Sequence, residues 1–422
     1  VSDSSSAQDQ TLAAPAPPRR SLLRRHPLLA LKTSFGFIYA VDGALLPFLS
    51  VLLAQQHGLT PYEVGVVLAV SGLAAVVGPP LATLLADSFG RVDRLLGVSV
   101  LLCGVSLLAF GFVHGYWWVL IVYTLYSLAR EPGRPLLDGV YFSARHTEPA
   151  VAASSYHKVR IWGSVGFLVP GVLLYFVLGA ANDSLASLPF IACGMTLLGL
   201  LTVPALPVPV HRYIQRIPLR QTARAAWQVF SQPSLAVFVL AMFVVQTAFT
   251  AYMAFYPFQV TDVVGLEARW LGPLMALGVA LEVCYMAAFG WFVHKLGWRW
   301  FMVSGVVLQA VRSIVLAVVP TAAAVIGAQL VHGMIIIVTL VGTRALLDRH
   351  ATERIRYTVQ GFYVMFVFGL SRILGNWLGG ALAETSLTAM FWAVAGCCIV
   401  AAVMLMWALR NEPNEQEAAK ST

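Results

Sequence analysis

The chain is 422 residues long, 59% hydrophobic and only 11% charged, with a formal net charge of +8 at pH 7. Soluble domains carry about 25% charged residues, so this composition excludes a soluble globular protein and describes an integral membrane one. The excess base lies on alternate connections, at Arg91, Arg94, Arg145, Lys295, Arg299 and Arg410 among others, while the opposite connections carry little beyond Arg269. That is the positive-inside pattern of a polytopic protein with both termini cytoplasmic, and it excludes a nucleic-acid footprint.

Residues 1–32 are rich in Ser, Ala, Pro and Gln, end close to the basic run RRSLLRRHP, and read as a disordered cytoplasmic tail. No small-residue cleavage site follows, and the next apolar run is longer than the core of a signal peptide. Twelve spans are then expected, at 33–54, 62–85, 94–113, 116–143, 156–178, 186–206, 234–257, 269–291, 301–319, 322–344, 358–382 and 387–409. Unbroken apolar runs of about 20 residues make membrane helices and not the short dyads of a barrel. The fold class is therefore all-α, with twelve transmembrane helices in two pseudo-symmetric six-helix bundles, 33–206 and 234–411. The linker 207–233 carries a basic amphipathic segment suited to the cytoplasmic surface, and 412–422 is a second cytoplasmic tail.

The halves look duplicated. Leu59 and Leu266, Gly65 and Gly272, and Gly90 and Gly297 are each separated by 207 residues, and Pro47-Phe48 and Pro257-Phe258 close the first span of each half. Repeats of six plus six are the mark of a rocker-type transporter with its site between the halves.

Taken in order, the intramembrane ions begin with Asp42 in span 1. The turn after span 2, TLLADSFGRVDR, places Asp87, Gly90 and Arg91 at the cytoplasmic face as a gate, and Gly297 with Arg299 repeats it. Span 4 holds Arg130, Glu131, Arg134 and Asp138, of which Glu131, Arg134 and Asp138 share one face of an unbroken helix. Span 5 adds Arg160 and Phe167, just beyond a loop containing Arg145 and His146. Glu282, Arg312, His332 with Gln329, and Arg372 follow in spans 8 to 11. Each such ion costs about 3 kcal/mol at depth on the mildest insertion scale. So many, spread over both halves, imply a shared aqueous cavity. The cations Arg130, Arg134, Arg160, Arg312 and Arg372 outnumber Asp42, Glu131, Asp138 and Glu282, which favours an anionic solute over a neutral sugar.

The five cysteines all lie in apolar runs without metal or redox spacing and read as packing residues. Glycines of spans 5 and 11 permit close helix approach. Among the aromatics, two or three of Tyr39, Trp162, Phe167, Tyr252, Phe255, Tyr256 and Tyr363 are expected to stack on a ring-bearing solute, and the rest to face lipid or the membrane interface. No HExxH, nucleophile elbow or nucleotide-binding motif is present, so neither an enzyme nor a nucleotide-driven pump is expected.

The run PLLD at 135–138 with YHKVRIWGSVGF at 156–167 resembles the lactose-permease-like branch of the major facilitator superfamily, and within it the phenylpropionate and nucleoside permease group. GALLPF at 43–48, LGVALEV at 277–283, QLVHG at 329–333 and QGFYVMFVFG at 360–369 extend the likeness over most of the chain. The resemblance implies proton-coupled uptake by alternating access. In lactose permease a span-4 carboxylate and a span-5 arginine hold the substrate, and Asp138 and Arg160 match them. Glu131, Arg134 and Phe167 complete the expected substrate site. A span-9 arginine and a span-10 histidine belong to that permease's proton machinery, matched here by Arg312 and His332. The departures are Ile335, where a glutamate is expected, and Thr339-Leu340, where the phenylpropionate-like pattern has a second histidine. Proton coupling is therefore expected at Glu282 and Asp42, because a carboxylate withdrawn from water is more readily protonated.

The expectation is a monomeric, cofactor-free, multi-pass protein of the inner membrane, symporting protons with a small organic solute such as an aromatic acid, nucleoside or saccharide. The alternative is a drug or metabolite exporter, a proton antiporter on the same fold. Its partners are the solute, protons and the lipid bilayer, with no nucleic acid.

Overall fold

The computed structural model describes residues 26–89, 92–207, 231–350 and 356–410, with the side chains of 79–89 and 356–358 left aside. Of the expected gate, the Asp87 side chain, Gly90 and Arg91 lie outside these described residues, as do most of the linker and the tails beyond residues 26 and 410.

Among the described residues, eleven helices are long and apolar enough to cross a membrane. The twelfth pass is span 4, which is expected as one helix over 116–143 and is instead two, Tyr116–Arg130 and Gly133–Ala144. Pro132 has no N–H to donate and its ring crowds the preceding turn, so the helix stops at Glu131 and restarts. Span 1 is interrupted in the same manner around Pro47, giving Pro27–Leu45 and Leu49–His57. Spans 2, 3, 5 and 6 are Pro61–Phe89, Val92–Phe110, Tyr156–Ala180 and Leu188–Thr202.

In the second half, span 7 is Pro233–Phe258 and ends in a π-turn, Gln259–Val263. Span 8 opens with Leu271–Ala287 and continues into Phe289–Val318, whose backbone turns sharply at Gly297 (φ 72°) to begin span 9. Span 10 is built from Ala322–Leu330, His332–Ile336, the π-turn Ile337–Gly342 and Thr343–His350. Span 11 joins Arg356–Tyr363, the π-turn Val364–Leu370 and Ser371–Thr385, and span 12 is Leu387–Ala408.

The duplication is written in the backbone. Gly58 and Gly265, again 207 residues apart, both adopt left-handed φ, at 68° and 76°. The next residue in each case folds its N–H back across the helix end, Leu59 to Leu53 O at 3.3 Å and Leu266 to Val260 O at 3.0 Å. Adding the same offset to the break at Glu131-Pro132 gives Val338-Thr339, inside the span-10 π-turn. Both copies thus interrupt the same helix at the same depth, one with proline and one with a π-turn. The π-turn's loosened carbonyls are taken by side chains: Thr343 Oγ1 donates to Val338 O at 3.0 Å and Tyr363 OH to Thr339 O at 3.4 Å.

Spans 3, 6 and 12 leave apolar side chains exposed along one side, including Leu101, Val105, Leu197, Leu201, Val400 and Val403. Such stripes suit lipid and not water. Span 2 packs on span 11 and span 5 on span 8, so these four helices join the two halves.

Spans 2 and 11 touch from mid-span, where Gly72 backs onto Ile373 and Gly369, to the face opposite the chain termini. A Cβ on Gly65 would meet Asn376 O at 2.5 Å and Gly380 Cα at 2.8 Å, and one on Gly171 would lie 3.3 Å from Gly272 O. Glu384 Oε2 accepts from Tyr62 N at 2.9 Å, and Asp183 Oδ1 from Arg269 N at 3.2 Å. Nearer the terminal face the glycines of spans 5 and 8 turn to their own halves, Gly163 and Gly166 to span 1 and Gly278 to span 10. The Gly65, Gly171, Glu384 and Asp183 contacts close the far face.

Candidate functional site

Span 1 brings Asp42 against the break in span 4. Asp42 is 2% exposed and takes two guanidiniums: Arg130 Nε and Nη2 both reach Oδ1 at 2.6 Å, and Arg134 Nη2 reaches Oδ2. A lone buried carboxylate would cost several kcal/mol, so a fork from one arginine and a contact from a second are what make the position tenable. Glu131, at the break itself, accepts from Arg130 Nη1 at 2.9 Å and from Arg372 Nη1 of span 11 at 2.8 Å. Five side chains therefore form one chain of charge, Arg134–Asp42–Arg130–Glu131–Arg372, that crosses from the first half to the second. Glu131, Arg134 and Asp138 would share one face of a continuous helix; the proline break sends them to three different partners.

Behind this chain, inside the first half, is a cavity of about 40 Å³ lined in part by Asp42, Ser99, Cys103, Tyr126, Arg130 and Thr196. It has room for about three water molecules.

Asp138 and Arg160 face the same region without pairing: no ion pair joins them among the described residues. Asp138 Oδ1 accepts from Tyr156 OH at 2.7 Å. Arg160 lies over the Tyr39 ring at 4.1 Å, with Arg134 over the same ring at 4.6 Å. One ring between two cations spreads the attraction over its electron-rich face. Phe167 enters through its backbone, which packs so closely on span 1 that a Cβ on Gly43 would lie 2.8 Å from Phe167 Cα.

Across the interface Glu282 is half-buried on span 8, makes no hydrogen bond or ion pair among the described residues, and senses the charge of Arg160 from the opposite half. Gly333 of span 10 backs directly onto the Glu282 backbone, at 2.8 Å from its Cα for an added Cβ. Span 10 therefore brings His332 close to span 8, but not to Asp42, which sits in the other half.

Arg312 is 3% exposed and no carboxylate contacts it among the described residues. Its Nη1 donates to His332 Nδ1 at 3.2 Å, which puts the imidazole proton on Nε2. Its guanidinium lies over Tyr252 at 4.0 Å and Phe249 at 5.7 Å. Cation–π contacts offer about 2 kcal/mol, less than the several kcal/mol that burying the charge costs.

Sequence reasoning singles out the ions and misses what holds them. Tyr156 falls one helical turn before Arg160 and Tyr39 three residues before Asp42, so both share a face with an expected ion, which is the signal that could have found them.

Residues 28–394 match the MFS_1 like family. The chain is 26% identical over 363 residues to the probable 3-phenylpropionic acid transporter of Escherichia coli (strain K12), covering 84% of this chain and 90% of that one. It is 22% identical over 383 residues to the xanthosine permease of the same organism, covering 84% and 88%. The crystal structure of the nucleoside transporter NupG superposes with a TM-score of 0.80 at 17% identity, over 92% of this chain and 100% of that one. The last of these is a likeness of fold, and it is the twelve-helix architecture expected above.

Proposed function

Because the chain belongs to the MFS_1 like family of the major facilitator superfamily, whose members here are transporters and not enzymes, we propose that it couples uptake of a small organic solute to proton entry by alternating access. The observation that carries the reading is Glu282, a carboxylate with no hydrogen-bond or ion-pair partner among the described residues, at mid-span on the interface between the halves. An unpaired carboxylate in a low-dielectric span is tolerated when it holds a proton, and Arg160 across the gap is placed to draw the ionised form. Loss and gain of that proton would then alter the attraction between the halves. Asp42, held by two arginines, we assign to bracing, which leaves the proton with Glu282.

With the termini in the cytoplasm, as the arginine pattern suggests, the closed face is the external one and the molecule is inward-facing. Asp138 and Arg160, unpaired with each other, are free to engage polar groups of a solute. Solute classes carried by relatives, an aromatic acid and a nucleoside, are the first to try.

The test is transport in reconstituted vesicles of known orientation. Glu282→Gln should abolish uptake driven by a pH gradient while sparing solute counterflow. Driven uptake equal to wild type would remove the proton role, and proton-driven movement outward would favour the exporter.

A further inference from the structure

The second half contains a buried polar nest that the transport reading leaves unused. Around Arg312, Nε and Nη2 of its own guanidinium, both amide atoms of Gln329, the Tyr252 hydroxyl and Gln246 Oε1 are buried without a partner among the described residues. Gln329 sits beside His332 on span 10, both against Gly278: a Cβ there would lie 2.6 Å from Gln329 Oε1 and 3.1 Å from His332 Cδ2. Gln246, Phe249 and Tyr252 share one face of span 7 at three-residue spacing. Spans 7, 9 and 10 therefore each bury hydrogen-bonding groups without partners, and Tyr252 and His332 bring two of these spans directly onto the Arg312 charge.

From this geometry we infer that Arg312 is the docking group for the carboxylate of the transported solute. Nε–H and Nη2–H are the two parallel donors on one edge of the guanidinium, the edge that matches the two oxygens of a carboxylate. The third nitrogen is already committed to His332. The count of charge favours a monoanion. One cation stands among neutral tyrosine, glutamine and histidine, so one negative charge balances it, whereas a dianion would leave a net charge buried. The walls, Phe249 and Tyr252, suit an aromatic or otherwise apolar body behind that carboxylate. Gln246, Phe249 and His332 are buried with Arg312, so a solute reaches the guanidinium only when the halves move.

The inference rests on the transporter reading for the route by which the solute arrives, but binding tests it separately. Purified full-length protein in detergent is heated with acetate, benzoate, 3-phenylpropionate, the neutral isostere benzamide, or chloride. At least one carboxylate should raise the unfolding temperature where benzamide and chloride do not. Arg312→Lys, which keeps the charge and loses the fork, should weaken that protection by about tenfold or more, and Arg312→Gln should abolish it. Gln329→Leu should weaken it without removing it.

No protection by any carboxylate, equal protection by benzamide or by chloride, or full carboxylate protection of Arg312→Lys would each overturn the inference. Should Arg312→Gln fail to fold, the lysine variant decides. Vesicles that move a neutral nucleoside or sugar while no carboxylate binds would leave the transporter reading standing and remove this one. Carboxylate protection of a protein that moves no solute would do the reverse.

Discussion

Aspartates of similar standing in the sequence have different employment in the structure. Asp42 is enclosed by Arg130 and Arg134, so Asp42→Asn strips a buried pair of its anion and should cost about 3–5 kcal/mol, read as a lowered unfolding temperature in micelles. Asp138 has only the Tyr156 hydroxyl, and an asparagine oxygen can still accept from it. Asp138→Asn should therefore change stability by less than about 1 kcal/mol while solute binding falls. Similar instability in both variants would show that Asp138 is a brace as well. The ions themselves were legible, since a charge inside an apolar run is conspicuous. Which ion would hold which was not. Arg130 and Glu131 are adjacent in sequence yet contact each other beside Pro132, and Asp138 and Arg160 engage separate tyrosines.

Among the elements, the twelve passes were readable from apolar length, and the 207-residue repeat from three pairs of residues. The interruption of span 4 was not read, although Pro132 stands in plain view: a proline within an otherwise apolar helix can kink or break it, and the outcome depends on what receives the freed groups. Here Glu131 uses the break to reach Arg372 on span 11. The π-turn that answers it in span 10 has no comparable mark in the sequence, since its carbonyls are satisfied by Thr343 and by Tyr363 of another span. The packing of span 2 on span 11 is more direct. A side chain on Gly65 has no room against Asn376 O and Gly380 Cα, so Gly65→Val should hold the far face open. Spin labels flanking the far-face ends of these two spans should report a longer distance in the variant; an unchanged distance would mean that the contact is not a closure point.

On the scale of the whole molecule, the two halves touch through backbone and glycine and are tied electrostatically by Glu131–Arg372. Glycine contacts present little relief to helices moving past one another, while the Glu384–Tyr62, Asp183–Arg269 and Glu131–Arg372 contacts have to part as the halves move. The deeper asymmetry lies in the helices themselves. All three π-turns among the described residues, Gln259–Val263, Ile337–Gly342 and Val364–Leu370, belong to spans 7, 10 and 11 of the second half. A π-turn carries one residue more than the helix around it needs, and the surplus can be passed along the axis at little expense in hydrogen bonds. That gives spans 7, 10 and 11 a slack which spans 5 and 12 do not have, and slack of this kind has a clock. Amide deuteration at 337–342 and 364–370 should run ahead of mid-span amides in spans 5 and 12, and should slow when a solute is bound. Equal protection throughout would make the two halves equally stiff.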